Sequence, residues 1–143
     1  MTALLTLADV SKRFRGLIAV DGVSFAVPQG AVFAVIGSNG AGKTTLFNMI
    51  AGAMKPDSGK IVFADDPVHG LAADAVCRRG IARTFQIVRP FPALSVEDNV
   101  IIGALIHRTD VTTARVRAHE LLRQLDLFDK RHRIASTLTL PDR

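Results

Sequence analysis

The stretch A-V-F-A-V-I-G-S-N-G-A-G-K-T-T occupies residues 31–45 and decides the fold of this chain. Within it, residues 37–44 read G-S-N-G-A-G-K-T and fill every fixed position of the phosphate-binding loop G-x-x-x-x-G-K-[ST]. A glycine-rich turn lets consecutive backbone N–H groups point at an anion, at the positive end of the helix that follows. The motif therefore predicts a site for a nucleoside triphosphate.

The flanks of the loop carry the strand and the helix that the motif requires. Residues 31–36 are an unbroken apolar run, which is the pattern of a strand buried on both faces. After the loop, Leu46, Phe47 and Ile50 recur at helical spacing and predict an apolar helix face, with Gly52 as the C-terminal stop. This context favours a functional loop over a chance match.

Side chains complete the predicted site. Lys43 is expected to reach the β- and γ-phosphates, Thr44 to place its hydroxyl on Mg²⁺, and Thr45 to contact a phosphate oxygen. The predicted nucleotide-binding residues of the loop are Gly37, Ser38, Asn39, Gly40, Ala41, Gly42, Lys43, Thr44 and Thr45.

Length and composition fit one globular domain. The chain has 143 residues, of which 48% are hydrophobic and 22% charged. Its longest apolar runs, 31–36 and 100–106, are far shorter than the roughly 18 residues that span a bilayer. Residues 1–10 lack a basic start and include Asp9, so we expect no secretory signal and a cytosolic location. The single cysteine, Cys77, cannot form an internal disulfide.

The net charge of +5 permits attraction to phosphates, nucleic acid or a membrane surface. Basic residues crowd the C-terminal third of the chain, where Glu120, Asp126 and Asp129 interrupt them. This interleaving favours a solvated helix face. We therefore expect no nucleic-acid partner.

The remaining elements alternate between strands and helices. Strands are predicted over 4–10, 23–27, 60–63 and 81–85, and helices over 71–79, from the Ser95–Asp98 capping pair to about Ile106, and over 114–125 with Leu121, Leu122 and Leu125 on the apolar side. The four histidines, His69, His107, His119 and His132, are expected to be ordinary surface residues.

In their order along the chain, these motifs resemble the ATP-binding subunit of an ABC transporter, most closely the branched-chain amino acid importer type. The string K-R-F-R-G-L-I-A-V-D-G-V-S-F at 12–25 is similar to the stretch that carries the family's adenine-stacking aromatic residue. Phe14 takes that position, and Val20 would pack alongside. G-I-A-R-T-F-Q at 80–86 resembles the family's Q-loop, in which Gln86 would reach Mg²⁺ and the attacking water.

The resemblance implies an α/β fold, a P-loop NTPase of the ABC ATPase type. One partial nucleotide-binding domain would cover 1–143, with an antiparallel β region, the phosphate loop and the Q-loop strand in 1–86 and the start of a helical subdomain in 87–143. The implied cofactors are ATP and Mg²⁺, the latter held by Thr44 and Gln86.

The same resemblance implies protein partners. The segment P-F-P-A-L-S-V-E-D-N-V at 90–100 is similar to the surface that meets the membrane-spanning subunits, so these would contact 86–100. A second ATP-binding subunit is also implied. The chain would then be peripheral on the cytoplasmic face of the cell membrane, coupling ATP to the transport of amino acids or similar small solutes.

The chain departs from the family pattern in two ways. The signature segment, usually L-S-G-G-Q, would fall at 138–142, where L-T-L-P-D has no glycine and Pro141 lacks an N–H. The strand with the catalytic glutamate and the switch histidine would lie beyond Arg143, so we assign no catalytic residue and expect no ATP turnover by the chain alone. In the family, two later parallel strands lie between the phosphate-loop strand and the Q-loop strand, so we expect an incomplete central sheet that leaves 31–36 facing water.

Other interpretations stay open at this point. The chain could be a fragment of a longer subunit or a truncated relic that is inert or only binds nucleotide. A P-loop GTPase or small-molecule kinase would share the loop, but no N-K-x-D or D-x-x-G motif follows it and no kinase substrate site is evident.

Overall fold

The computed structural model describes residues 3–85, 87–107 and 110–139. The chain divides into two compact units, Met1–Ala82 and Arg83–Arg143, and each is described by itself. The first unit contains β1 (Ala3–Phe14), β2 (Leu17–Pro28), α1 (Lys43–Ile50), β3 (Ser58–Phe63), β4 (Asp66–Pro67) and α2 (Ala73–Arg78). The second contains α3 (Val96–Ala104), α4 (Val111–Gln124) and three single turns of 3₁₀ helix, Leu105–His107, Phe128–Lys130 and Ala135–Thr137.

The strands of the first unit form one antiparallel sheet in the order β2-β1-β3-β4. Leu7 of β1 is paired with Phe25 of β2 on one side and with Ile61 of β3 on the other. The strands predicted over 4–10, 23–27 and 60–63 are confirmed, and β1 and β2 extend well beyond those bounds. The α/β class is likewise confirmed, because the sheet is accompanied by helices.

One face of the sheet packs with α1 and α2 around an apolar core. Its buried residues are Leu7, Val10, Val20, Leu46, Met49, Ile50, Ile61, Val68 and Val76. The predicted apolar face of α1 is correct for Leu46 and Ile50 and wrong for Phe47, which is 45% exposed. Each residue turns the helix by about 100°, so Met49, three positions after Leu46, fills the buried stripe instead.

The helix predicted over 71–79 is present as the shorter α2. Its first residue, Ala73, follows an extended Ala72, and its carboxyl end is closed where the N–H of Gly80 donates to the carbonyl of Cys77 at 2.9 Å. Cys77 lies on this helix as expected and is half-buried.

Two predicted strands are absent from the hydrogen-bonded sheet. Residues 31–36 and 81–85 have no ladder partner among the described residues, and a strand requires one to be assigned. The prediction that 31–36 is buried on both faces is also wrong, since Val32 and Ile36 are 101% and 92% exposed. The expectation that this segment faces water is confirmed. Phe33 still stacks on Phe25, with ring centroids 4.9 Å apart.

The helices of the second unit begin at side-chain caps. Ser95 Oγ accepts a hydrogen bond from the N–H of Asp98 at 3.0 Å, which confirms the predicted capping pair of α3. Asp110 caps α4 by accepting from the N–H groups of Thr112 and Thr113 at 3.1 and 2.7 Å. Leu122 is buried on α4, but Leu125 follows the end of the helix and is 65% exposed, so its predicted place on the apolar face is wrong.

Candidate functional site

The phosphate-loop sequence forms a tight connection into α1. Gly40 and Gly42 have φ angles of +85° and +80°, in the left-handed region that glycine adopts without strain. A Cβ atom on Gly42 would lie only 2.0 Å from the carbonyl oxygen of Ala19 in β2. This loop backbone therefore passes so close to the sheet that no side chain fits at position 42.

The positive end of α1 opens onto the loop. Leu46 is the residue whose N–H closes the first helical turn, donating to the carbonyl of Gly42 at 2.9 Å. The amides of Lys43, Thr44 and Thr45 precede that bond and point toward the loop end of the helix. The first turn carries no acidic residue, and Gly42 offers no capping side chain. This end of the helix is therefore suited to an anionic ligand.

Lys43 places its charge within the loop. Its Nζ donates to the carbonyl oxygens of Gly37 and Ser38 at 2.7 and 2.6 Å. The N–H of Ala41 donates to the carbonyl of Ser38 at 3.2 Å and closes the turn. The lysine predicted from the motif is therefore brought onto the loop backbone, where a phosphate would meet both the ammonium and the amides.

Hydroxyl groups follow Lys43 on the first turn of α1. Thr44 is exposed and Thr45 is half-buried. An exposed hydroxyl beside an anion site suits Mg²⁺, which takes oxygen ligands. The described residues contain no group of three His, Cys, Asp or Glu side chains that could hold a metal by themselves. Gln86, the other predicted magnesium ligand, lies outside the described residues.

Phe14 ends β1 at the tip of the β1–β2 hairpin, where it pairs with Leu17. It is 40% exposed, and Lys12 Nζ lies 5.8 Å from its ring centroid. Val20 is 6% exposed and packs below the loop against Gly42. Part of the Phe14 ring is thus open to a ligand, whereas Val20 mainly supports the loop.

A pocket of about 340 Å³ lies between β2, the segment 33–36 and the start of α1. Val20, Gly42 and Lys43 line it together with apolar side chains that include Phe25, Phe33 and Leu46. The structure therefore brings together the loop, Lys43 and Val20 at the rim of one cavity.

The segment 55–57, just before β3, supplies contacts that the sequence did not reveal. Asp57 Oδ1 accepts from Lys12 Nζ at 2.6 Å, and Oδ2 accepts from the N–H of Arg13 at 2.8 Å. These contacts lower the pKa of Asp57, the hydrogen bond from Lys12 first and that from Arg13 next. The sequence could not reveal these contacts, because partners 44 and 45 residues away leave no local signal.

A second missed cluster centres on Glu97 of α3, which is 8% exposed. Its Oε1 lies 2.9 Å from His119 Nε2 and 3.2 Å from Arg115 Nε, both on α4. His132 Nδ1 is 3.6 Å from Oε2. The expectation of an ordinary surface histidine is wrong for His119, which is half-buried in this network. His69 is also half-buried, since its Nδ1 contacts the backbone of Ile61. The Glu97 cluster therefore ties α3 to α4.

The predicted partner surface exposes several large apolar side chains. Ile87, Val88 and Phe91 are 72%, 54% and 55% exposed, and Phe85, just before this surface, is 64% exposed. The side-chain amide of Asn99 holds this segment by accepting from the N–H of Phe91 at 2.8 Å and donating to its carbonyl at 3.1 Å. The segment is therefore fixed to α3 while its apolar side chains point outward.

Two predicted features lie partly or wholly outside the described residues. Gln86 is one. The other is the signature region at 138–142, of which only Leu138 and Thr139 are described, Leu138 being 7% exposed in the core of the second unit. Across the described part of the chain, no helix is both long and apolar enough to cross a membrane.

Comparison with known proteins places these features in a family. A model of the family described as ABC transporter matches residues 20–140. The chain is 37% identical over 139 residues to "Ribose import ATP-binding protein RbsA 1" of Rubrobacter xylanophilus, covering 94% of this chain and 28% of that protein.

Two further relatives are named for amino acid transport. The "High-affinity branched-chain amino acid transport ATP-binding protein BraF" of Pseudomonas aeruginosa is 38% identical and covers 73% of this chain and 41% of its own length. LivG of Escherichia coli, with the same descriptive name, is 39% identical, at 70% and 39%. The chain thus spans less than half the length of these relatives.

Solved structures agree with the fold. A crystal structure of the ADP conformation of an ATP-binding cassette of an ABC transporter superposes with a TM-score of 0.81 at 29% identity, covering 98% of this chain and 60% of that one. A nucleotide-free cassette gives a TM-score of 0.80 at 29% identity, at 96% and 60%. The predicted ABC ATPase fold is therefore confirmed. By the family match across 20–140 and the shared cassette architecture, the chain belongs to the ABC transporter family.

Proposed function

We propose that this chain is the ATP-binding part of an importer subunit and that it binds ATP with Mg²⁺. The observation that carries the proposal is the first turn of α1, where three free amides, the Lys43 ammonium and the absence of acidic side chains converge on the loop at 37–42. Such a combination favours a polyphosphate over other anions, because it supplies both directional donors and charge.

The loop and its helix hold the phosphates in this proposal. The backbone from Gly37 to Gly42 surrounds them, Lys43 and Thr45 contact their oxygens, and the Thr44 hydroxyl takes one position on Mg²⁺. Gln86 would supply a second oxygen to the metal. Mg²⁺ neutralises phosphate charge when it is bound, and the residues named here orient the nucleotide around it.

Phe14 is proposed as the adenine platform. Its ring is partly exposed at the hairpin tip, and a flat aromatic face pairs with a purine without hydrogen bonds. Stacking alone tolerates guanine, so the expected preference for ATP over GTP is modest. Val20 supports the loop below this site.

Replacing Phe14 with alanine should weaken ATP binding without abolishing it. Aromatic stacking on a base contributes about 1 to 3 kcal/mol by alanine substitution at comparable sites, or roughly fivefold to 150-fold in affinity. Calorimetric titration with ATP, GTP and inorganic tripolyphosphate measures this loss directly. Leu17→Ala, at the exposed partner position of the same hairpin, is the matched control. Equal ATP affinity in Phe14→Ala and the parent would show that Phe14 does not stack on adenine and only packs within the hairpin.

We propose amino acids of the branched-chain type, or similar small solutes, as the cargo of the complete transporter. This choice is supported by two sequence segments, R-T-F-Q at 83–86 and P-F-P-A-L-S-V-E-D-N-V at 90–100. The names of two relatives support it as well. A ribose importer is the competing assignment, because a relative of similar identity carries that name. Uptake of labelled leucine and labelled ribose by host cells lacking this gene would decide between them.

The remaining partners are proposed because the chain belongs to the ABC transporter family. A second ATP-binding subunit would close on the nucleotide held at the exposed loop, and membrane-spanning subunits would contact residues 86–100. The chain would then sit on the cytoplasmic face of the cell membrane and couple ATP binding and hydrolysis to transport. A chain that binds no nucleotide in the titration above would instead be an inert relic.

Disrupting the apolar surface should release the chain from membranes. In host cells that make the transporter, Ile87→Asp and Phe91→Asp should shift a tagged chain from the washed membrane fraction to the supernatant, because burying an unpaired carboxylate is costly. Leu125→Asp is the matched control, since Leu125 is 65% exposed outside the surface. Retention of both surface variants on membranes would contradict the proposed contact.

A further inference from the structure

The turn that follows α1 reaches across to the end of strand β1. Through Asp57, it contacts each of the three residues that precede Phe14. The backbone N–H of Asp57 donates to the carbonyl of Ser11 at 2.9 Å, and its carboxylate accepts from Lys12 Nζ at 2.6 Å and from the N–H of Arg13 at 2.8 Å. One residue therefore fixes the backbone and a side chain immediately before the exposed ring.

Asp57 makes these contacts at the point where β3 no longer pairs with β1. Pairing of β1 with β3 stops at Ser11 and Ser58, so residues 12–14 of β1 pair only with β2. The β1–β2 register is irregular on both sides of Lys12. A two-stranded hairpin is marginally stable by itself, and an irregular register weakens it further. The Asp57 carboxylate holds the N–H of Arg13 just beyond the point where the β3 ladder ends.

Lys12 extends the restraint to the ring. Its side chain is only 15% exposed, and its ammonium is held by Asp57 while lying 5.8 Å from the centroid of Phe14. A cation at this distance is attracted to the ring face. The same contacts lower the pKa of the Asp57 carboxyl, the hydrogen bond from Lys12 first. The carboxylate, the ammonium and the ring thus form one connected unit.

We propose that Asp57 is the positioning residue that holds Phe14 ready for the adenine base. This inference rests on the proposed stacking of adenine on Phe14. Asp57 does not touch the nucleotide in this account. It acts by removing freedom from the hairpin tip before the base arrives, so that binding does not have to order the ring.

If Asp57 positions Phe14, replacing Asp57 should lower the affinity only for ligands that carry a base. Ordering one side chain costs about 0.5 to 1.5 kcal/mol, so Asp57→Ala should weaken ATP binding about twofold to tenfold. Affinity for inorganic tripolyphosphate, which uses the loop and not the ring, should stay unchanged. In the Phe14→Ala background, Asp57→Ala should cause no further loss, because a residue acting through the ring has nothing left to position.

The test is calorimetric titration of the 143-residue chain with Mg-ATP and with magnesium tripolyphosphate. Asp74→Ala is the matched control, since Asp74 also pairs with a cation, Arg78, at 2.6 Å but lies on α2. Circular dichroism compares the folding of each variant. If Asp57→Ala loses its structure, Asp57→Asn decides the question, because the amide keeps the shape and one acceptor while removing the charge.

The outcomes separate this inference from the proposed function. If Phe14→Ala weakens ATP but not tripolyphosphate and Asp57→Ala or Asp57→Asn does not, the positioning role is wrong and the stacking stands. Equal losses for both ligands in the Asp57 variants would also overturn the positioning role. If Phe14→Ala itself shows no preference between the ligands, the stacking on which the inference rests is wrong.

Discussion

Replacing Lys43 with alanine should remove ATP binding from the measurable range of a micromolar titration. The ammonium now donates to the carbonyls of Gly37 and Ser38 and lies where a polyphosphate would meet it. Each charge-assisted hydrogen bond lost costs about 1.5 to 3 kcal/mol, or roughly one to two decades of affinity. Binding of a fluorescent ATP analogue checks the result.

Two matched variants separate the causes of that loss. Lys60→Ala removes the same charge from an exposed position on β3 and should bind ATP as the parent does. Lys43→Met keeps the apolar part of the side chain, so the ATP affinity that this variant loses measures the contribution of the ammonium group alone. Unchanged binding in Lys43→Ala would disprove the assignment of the loop as the nucleotide site.

Gly42→Ala should damage the site at least as strongly, through the backbone. The new Cβ would lie 2.0 Å from the carbonyl oxygen of Ala19, and its φ of +80° is strained for any L side chain. The left-handed conformation costs about 1 to 2 kcal/mol and overpacking a further 1 to 3 kcal/mol. Because the clash is with main chain, the loop must move away from β2, and the amides of α1 lose their alignment.

The control for this substitution isolates the clash from the strain. Gly70→Ala shares a positive φ of +81° but meets no atom within 4 Å and lies outside the loop. It should retain ATP binding, whereas Gly42→Ala should lose at least one decade in the same titration. Equal affinities for the two variants would show that the close approach to Ala19 does not shape the site.

Local chemistry explains which features the sequence predicted well. The phosphate loop, its helix and the Ser95 cap each depend on residues within a few positions of one another, and all three are present. The strands that form β1, β2 and β3 were predicted for the same reason, since alternation within a short segment marks a half-buried strand. The exact ends of these strands were not predicted, because the pairing of a strand continues as far as a partner strand is available.

Features that depend on a distant partner could not be predicted. Segments 31–36 and 81–85 have strand composition, yet a strand exists only where a neighbour completes its hydrogen bonds, and none does so in the described chain. Glu97 looks like any acidic residue of a helix start, and its burial against His119 follows from the packing of α3 on α4.

By itself, the amino-acid sequence determined that this chain would carry a phosphate loop at the N-terminus of a helix, with short strands before and after it. These depend on glycine placement, hydrophobic period and turn chemistry, all of which act within a few residues. Only the tertiary structure decided that Gly42 must be glycine because Ala19 approaches it, and that Asp57 restrains the strand before Phe14. The physical reason is that both contacts join segments more than 20 residues apart, and folding alone brings their atoms within van der Waals or hydrogen-bonding distance.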